Sequence, residues 1–346
     1  MTLTASQPGR ILVRAVPGLR HLYRYPRAWL RYDVVAGLVL STLLVPQGMA
    51  YAELAGLPAI TGLYTTAVAL LAYAVFGPSR VLVLGPDSSL GPVIAATIAP
   101  LVVAGSPQQA VAYASVLSLI VGALTVATGL LRLGFVADLL SRPTQLGYIN
   151  GLALTILISQ LPKLCGFSVE ADGLIPEARA FVRGVADGEV VGIAVVVGVA
   201  CLAVILLCQR FLRMVPGVLV AVMLAIAAVR LFDLSSHGVG VVGAMPQGFP
   251  PLTIPSVSAH DLPLLVAGAV GIAVVSLTDT ISTASVFAAR AGDEVDGNRE
   301  MVGVGSASLA AGLFQGFPVS TSGSRTAVAV QNGARSPLAS LVGAAG

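Results

Sequence analysis

The chain has 346 residues, 56% of them hydrophobic and only 10% charged, where a soluble domain carries roughly 25% charged residues. That balance excludes a soluble globular protein. Long apolar runs in place of short alternating strands exclude a closed β-barrel, so an all-α polytopic membrane protein is expected. The net charge of +3 is small, and its distribution is more informative than its total.

Six arginines (Arg10, Arg14, Arg20, Arg24, Arg27 and Arg31) precede the first apolar run. No apolar h-region follows Met1, so no cleavable signal peptide is expected. Residues 1–32 read as a basic, cytoplasmic, positive-inside anchor, not a nucleic-acid surface. Run length and Gly/Pro punctuation predict segments at roughly 33–51, 60–77, 81–100, 108–128, 134–160, 189–208, 216–234, 262–289, 300–316, 317–334 and 337 onward. Their Ala, Val, Leu and Gly content suits helices packed closely through small residues.

In chain order, the first segment contains Leu44-Val45-Pro46-Gln47-Gly48-Met49-Ala50-Tyr51. Gln47 and Tyr51 are four apart and share a helix face; Glu53 beyond them reads as interfacial. The third segment opens with a β-like run, Arg80-Val81-Leu82-Val83-Leu84, then a Gly85-Pro86 break. Asp87, Ser88 and Ser89 follow at the capping positions of a half-helix. The eighth contains Ser276-Leu277-Thr278-Asp279-Thr280-Ile281-Ser282-Thr283, with Asp279 deep in an apolar helix and Thr283 on its face. The tenth opens with Phe317-Pro318-Val319-Ser320-Thr321-Ser322-Gly323-Ser324-Arg325. That is another poor continuous helix and a good broken one. Unwound backbone at membrane depth is tolerated only where protein or a watery cavity covers it. Cys165, Cys201 and Cys208 are unpatterned, so no disulfide framework or metal site is expected, and no cofactor. His21, His237 and His260 fall in predicted loops.

With a cytoplasmic N-terminus, the inner loops hold the six N-terminal arginines with Arg80, Arg132, Arg142, Arg210, Arg213, Arg290, Arg299 and Arg335. The outer loops hold Lys163, Arg179 and Arg183. This bias predicts the orientation. The third segment then enters from inside and the tenth from outside, seven segments apart. Broken segments at matching positions of inverted repeats point to a transporter binding site at the midplane. The second seven-segment repeat is incomplete, since the chain stops within the eleventh segment.

Two half-helix N-termini that meet present unpaired N–H groups and partial positive charge. With Arg325, whose fork suits multi-oxygen anions, they make an anion site. Ser320, Thr321, Ser322 and Ser324 add hydroxyl donors. The plainer alternatives are that Arg325 snorkels to an interface or is clamped by a carboxylate. Asp279 can carry a proton, bind Na⁺ with neighbouring oxygens, or neutralise Arg325. Asp87 caps its half-helix or tunes coupling. A membrane-embedded enzyme using Asp279 is disfavoured because no second intramembrane carboxylate or histidine is in view as an acid–base partner.

Taken together the motifs resemble the sulfate permease (SulP) family of anion transporters. The matching pieces are Leu44 to Ala52, Ala55-Gly56-Leu57-Pro58 with Gly62-Leu63-Tyr64, and Phe76-Gly77-Pro78-Ser79-Arg80 with Gly85-Pro86-Asp87-Ser88. Ser141-Arg142-Pro143 with Gly147-Tyr148, and Gly316-Phe317-Pro318 with Ser324-Arg325-Thr326-Ala327, complete the set. The resemblance runs from about residue 25 to the end, and several motifs in the right order make it specific.

The resemblance implies a uracil-permease-like fold of two inverted seven-segment repeats with two strand-plus-half-helix broken segments. It implies a core domain of segments 1–4 (residues 33–128) and 8–11 (262–346), and a gate domain that includes segments 5–7 (129–261). Segments 12–14 and a C-terminal STAS domain would belong to a longer protein. Ser324 and Arg325 match anion-contacting positions, and Gln47 and Tyr51 match pocket positions. Asp279 matches the acidic position used for proton or sodium coupling, and Thr283 a coordinating position of the sodium-coupled type. The substrate-binding set is therefore Ser324, Arg325, Ser322, Gln47, Tyr51, Ser88 and Ser89; the coupling-ion set is Asp279, Thr283 and Asp87. The expected function is proton-coupled symport of an inorganic oxyanion, sulfate first, by alternating access across the plasma membrane, and not an enzyme. The alternatives are a sodium-coupled bicarbonate or dicarboxylate transporter and, remotely, a non-transporting membrane scaffold. Expected partners are the anion, H⁺ or Na⁺, the bilayer and a second copy in a full-length homodimer, without nucleic acid.

Overall fold

The computed structural model describes residues 16–23, 25–103, 106–133, 142–169, 174–211, 217–241, 243, 248–292 and 294–345. Arg10, Arg14, Arg24, Arg213, Ser141 and the predicted start of the fifth segment lie outside the described residues. The chain divides into two compact units, Met1–Ser141 with Gln247–Gly346, and Arg142–Pro246.

In the first unit, α1 (Pro17–Tyr23) leads through a 3-10 turn at Arg27–Trp29 into α2 (Leu30–Leu54) and α3 (Ala59–Phe76). α1 was not expected, and it takes His21 out of the loop. Its Gly18 sits so close to the end of α3 that a Cβ there would lie 2.1 Å from the Ala74 carbonyl oxygen. α2 and α3 approach through Gly48 and Gly62, where a Cβ on Gly62 would lie 1.9 Å from the Gly48 oxygen. The chain then runs extended into β1 (Leu84–Gly85) and α4 (Gly91–Ile98), and α5 (Pro107–Leu130) follows.

The second half of this unit contains α10 (Leu262–Ala291), α11 (Gly297–Leu313), β2 (Ser320–Thr321), α12 (Gly323–Gln331) and α13 (Leu338–Ala345). α11 begins at an Asp296 cap, whose carboxylate accepts the Arg299 N–H. It packs on α5 through small residues. A Cβ on Gly122 would lie 2.7 Å from the Gly305 oxygen, and one on Gly312 2.7 Å from the Ser115 oxygen. The Ser118 hydroxyl donates to the Ser308 carbonyl at 2.8 Å in the same seam. Close backbone approach with interhelical hydroxyl bonds is the way helices hold together where lipid removes the hydrophobic drive.

The predicted breaks fall where the sequence places them. β1 and β2 pair antiparallel, Leu84 opposite Thr321 and Gly85 opposite Ser320. Pro86 cannot extend the ladder, and the Ser322 hydroxyl caps α12 by accepting the Arg325 N–H at 3.4 Å. α13 is held by Asp33 at the start of α2. Its carboxylate, fully buried, accepts the Arg335 N–H at 2.7 Å, the Ser336 N–H at 3.2 Å and the Ser336 hydroxyl at 2.7 Å.

The second unit contains α6 (Arg142–Leu164), α7 (Leu174–Ala186), α8 (Gly192–Phe211) and α9 (Gly217–Leu231). The expected loop before α8 instead carries α7, an amphipathic helix too polar to read as a membrane segment. It is fastened by Phe181 stacked on Phe167, ring centroids 5.8 Å apart. Among the described residues five helices are long and apolar enough to cross a membrane: Arg27–Leu54, Ala59–Phe76, Pro107–Leu130, Gly192–Phe211 and Leu262–Arg290.

Candidate functional site

Arg325 lies in the first turn of α12 with no exposed surface. Its Nη2 donates to the Pro86 carbonyl at 2.6 Å and faces Asp87 Oδ2 at 3.5 Å. Its Nε and Nη1 are buried with no partner among the described residues. Gly85 sits against the same group, since a Cβ there would lie 3.0 Å from Nη1. An unpaired buried donor costs about 1–3 kcal/mol. The side chain is held at one corner of its fork and is chemically unfinished at the other.

Asp87 does two things. Its Oδ1 accepts the Ser89 N–H at 3.0 Å, and its main-chain oxygen accepts the Leu90 and Gly91 N–H groups, so it closes the turn that precedes α4. The N-cap of α4 itself is Leu90, with no side-chain cap bond, and not the expected Asp87, Ser88 or Ser89. Its Oδ2 faces Arg325. The carboxylate beside Arg325 is thus Asp87 and not Asp279, because the β1–β2 register brings the Pro86-Asp87 turn onto α12.

Asp279, half-buried on α10, accepts the Ser89 hydroxyl at 2.7 Å. The same hydroxyl lies 2.9 Å from Asp87 Oδ1. Ser89 therefore stands between two carboxylates, each in hydrogen-bond contact. Thr283, one turn beyond Asp279, lies beside the first residue of α12, 3.8 Å from where a Cβ on Gly323 would be. The Tyr51 hydroxyl faces Ser88 and lies within electrostatic range of Asp87 and Arg325. Gln47 is half-buried one turn earlier on α2, and Ser324 is exposed with its hydroxyl 3.1 Å from that of Ser322.

Two expected donors point elsewhere. The Thr321 hydroxyl donates to Thr280 Oγ1 at 3.0 Å and the Ser320 hydroxyl to the Ser276 oxygen at 3.4 Å, both on α10. Their role is to stitch the unwound strand to its neighbour. Thr280 is taken up by that stitch, and Thr278 bonds back to the Val274 oxygen, so neither serves Asp279.

Sequence reasoning also missed buried carboxylates. Asp33 is one. Glu300 on α11, 1% exposed, is another; it accepts the Tyr73 hydroxyl at 2.6 Å and the Ser79 hydroxyl. The available signal was a lone carboxylate in the first turn of an apolar segment with a tyrosine in another. The carboxylate that reaches Asp279 is neither Asp33 nor Glu300 but Asp87, through the shared Ser89 hydroxyl, which corrects the expectation that no second carboxylate is in view as its partner.

Among solved structures, the murine Solute Carrier 26 family member A9 anion transporter in its inward-facing state aligns with a TM-score of 0.89 at 23% identity, over 100% of this chain and 60% of that one. The transmembrane domain of a cyanobacterium bicarbonate transporter, BicA, aligns with a TM-score of 0.81 at 25% identity, over 93% of this chain and 82% of that one. Fold and broken-segment geometry thus define a multi-pass membrane protein of the uracil-permease-like, inverted-repeat class. Two probable sulfate transporters of Mycobacterium tuberculosis are 42% and 41% identical over 326 residues, 94% of this chain and 58% of theirs. Human solute carrier family 26 member 6 is 32% identical over 357 residues, 96% of this chain and 46% of that one. The sulfate permease family signature matches residues 30–345, and the chain belongs to that family. It spans about half the length of the curated relatives it matches.

Proposed function

We propose that this chain supplies the anion-binding core of a secondary transporter for an inorganic oxyanion, sulfate first, driven by protons through alternating access. The carrying observation is Arg325: a fully buried guanidinium with two free donors at a half-helix N-terminus, facing the broken segment of the other repeat. An oxyanion reaching Nε and Nη1 would satisfy both donors and balance the charge that Asp87 meets only at 3.5 Å. Tyr51, Ser322 and Ser324 complete the donor set, with Gln47 one turn from Tyr51. Two M. tuberculosis relatives named as probable sulfate transporters support sulfate as the first substrate to test.

The proton reading rests on a count of hydrogens. A serine hydroxyl has one proton to donate, yet Ser89 touches both Asp279 and Asp87. Both contacts are attractive when Asp279 holds a proton and donates it to Ser89, while Ser89 donates to Asp87. Without that proton, two carboxylates compete for one hydrogen, and the strain falls on the residue that faces Arg325. Proton loading and anion binding are then linked through Ser89 and Asp87.

In this reading residues 33–128 and 262–346 form the core, and residues 129–261 contribute to the gate. The arginine distribution supports a cytoplasmic N-terminus, and a plasma-membrane location and a homodimer are part of the same proposal. The second reading, sodium-coupled bicarbonate transport, is favoured by the likeness to the bicarbonate transporter's transmembrane domain and by Thr283 beside Gly323. Substrate competition with the full-length protein in liposomes tests both. Sulfate uptake driven by an inward proton gradient supports the first, and bicarbonate uptake that follows Na⁺ at fixed pH supports the second.

A further inference from the structure

A second basic feature lies outside the site just described. A groove of about 600 Å³ is formed where several elements of the first unit end: the loop after α3, the C-terminal ends of α10 and α12, and the turn before α2. Three arginines line it, Arg80, Arg290 and Arg335, all exposed. None of the three has a carboxylate within ion-pair distance among the described residues. Arg290 instead lies over the Phe287 ring at 5.5 Å, and Arg335 over the Tyr32 ring at 4.3 Å. Aromatic faces thus orient two of the guanidiniums and leave their N–H forks for another acceptor. Among the described residues Glu294 is the one carboxylate in the lining, against three arginines.

Beside His21 and Ser79, the rest of the described wall is apolar, with Trp29, Phe287 and Val330. A small inorganic anion would leave that surface without a partner, while a plain acyl chain would leave three arginines without one. An amphiphile with a phosphate head and hydrocarbon tail satisfies both. The groove also lies at helix ends, where a tryptophan and arginines mark the level of lipid headgroups. Basic pockets between membrane helices hold anionic headgroups by this combination of charge and apolar wall.

We propose that this groove binds an anionic phospholipid, its phosphodiester held by Arg80, Arg290 and Arg335 and its first acyl carbons against Phe287 and Trp29. This site is separate from the Arg325 site, and its test reads lipid binding, not transport.

The test is native mass spectrometry of the purified chain with phosphatidylglycerol and phosphatidylcholine supplied in equal amounts. Wild type should retain phosphatidylglycerol selectively. The double variant Arg80→Gln/Arg290→Gln should lose that preference by on the order of tenfold or more, since each arginine at a membrane surface contributes a several-fold preference for anionic lipid. Arg80→Lys/Arg290→Lys, which keeps the charge, should retain most of it and controls for folding. Arg179→Gln/Arg183→Gln, on the exposed face of α7, should leave it unchanged. An unchanged preference in the Arg80/Arg290 glutamine variant would overturn the proposal. So would an equal loss in the Arg179/Arg183 variant, or full displacement of the lipid by millimolar inorganic phosphate.

Discussion

The Arg325 Nη2 donates to the Pro86 main-chain oxygen at 2.6 Å, across 239 residues of sequence. The side chain of one repeat thereby closes on the unwound backbone of the other, at the point where the two strands pair. This contact leaves Nε and Nη1 of Arg325 buried without a partner among the described residues, so the residue that braces the fold also carries the donors on which the proposed anion site rests.

Asp279→Asn should uncouple transport from its driving ion. The amide fills the same shape beside Ser89 but cannot titrate. In the full-length protein in liposomes, an inward proton gradient should drive wild-type sulfate accumulation and leave the variant at equilibrative exchange or inactive. Unchanged gradient-driven accumulation would remove Asp279 from coupling and leave it a structural role.

Ser89→Ala should weaken the link between proton and anion without abolishing anion binding. The lost hydroxyl contacts both carboxylates, while Arg325 keeps its Pro86 and Asp87 partners. Sulfate affinity measured at several pH values should become flatter in the variant. A pH profile identical to wild type would mean that the two carboxylates do not communicate through Ser89.

Gly122→Ala should destabilise the α5–α11 seam by about 1–3 kcal/mol, the cost of overpacking. The added Cβ meets backbone atoms of Gly305 and Leu309 at 2.7 Å, which cannot swing away as a side-chain tip can. Gly271→Ala on α10, where nothing lies within 4 Å, is the matched control and should be neutral or slightly stabilising. Thermal unfolding in detergent reads both, and equal melting of the two variants would contradict the packing account.

Asp33→Ala should cost about 2–4 kcal/mol, because hydrogen bonds to a charged group are the stronger kind and several are lost together. Tyr25→Phe removes the phenol's bond to Asp33 Oδ2, 2.9 Å long, together with its contact to Ser336, and leaves the carboxylate in place. Burial and the neighbouring Asp33 push that phenol up from 10.0 to about 12. Its neutral form is therefore favoured by folding. Its contribution is complete below about pH 10 and is lost as pH rises through about 12. Wild type should melt above Tyr25→Phe at neutral pH, and the gap should close in that alkaline window. A gap that widens with pH would reverse the sign.

Much of this was legible from the residues. Long apolar runs gave the membrane helices, and Gly85-Pro86 and Gly316-Phe317-Pro318 marked both broken segments because neither sequence can continue a helix. Arg325 and Asp279 stood out as charges in apolar surroundings. The partners were not legible. Whether Asp87 or Asp279 faces Arg325 depends on the register of a two-residue strand pair. Asp33 and Glu300 looked like helix-start residues, since the groups that bond them lie 303 and 227 residues away. α7 escaped notice because an amphipathic surface helix has no apolar run. Ser320 and Thr321 looked like ligand donors because composition cannot say which way a strand side chain points.

The central claim is that the free donors of Arg325 hold the anion, and equilibrium sulfate binding by the purified protein tests it most directly. Arg325→Ala should weaken binding by about ten- to a hundredfold, the loss expected for a charge-assisted hydrogen bond of roughly 1.5–3 kcal/mol. Arg325→Lys should recover part of it, because the charge returns without the fork. Both variants should still insert in the membrane. Sulfate affinity in Arg325→Ala equal to wild type would contradict the account and leave Arg325 as a brace between the two broken segments only.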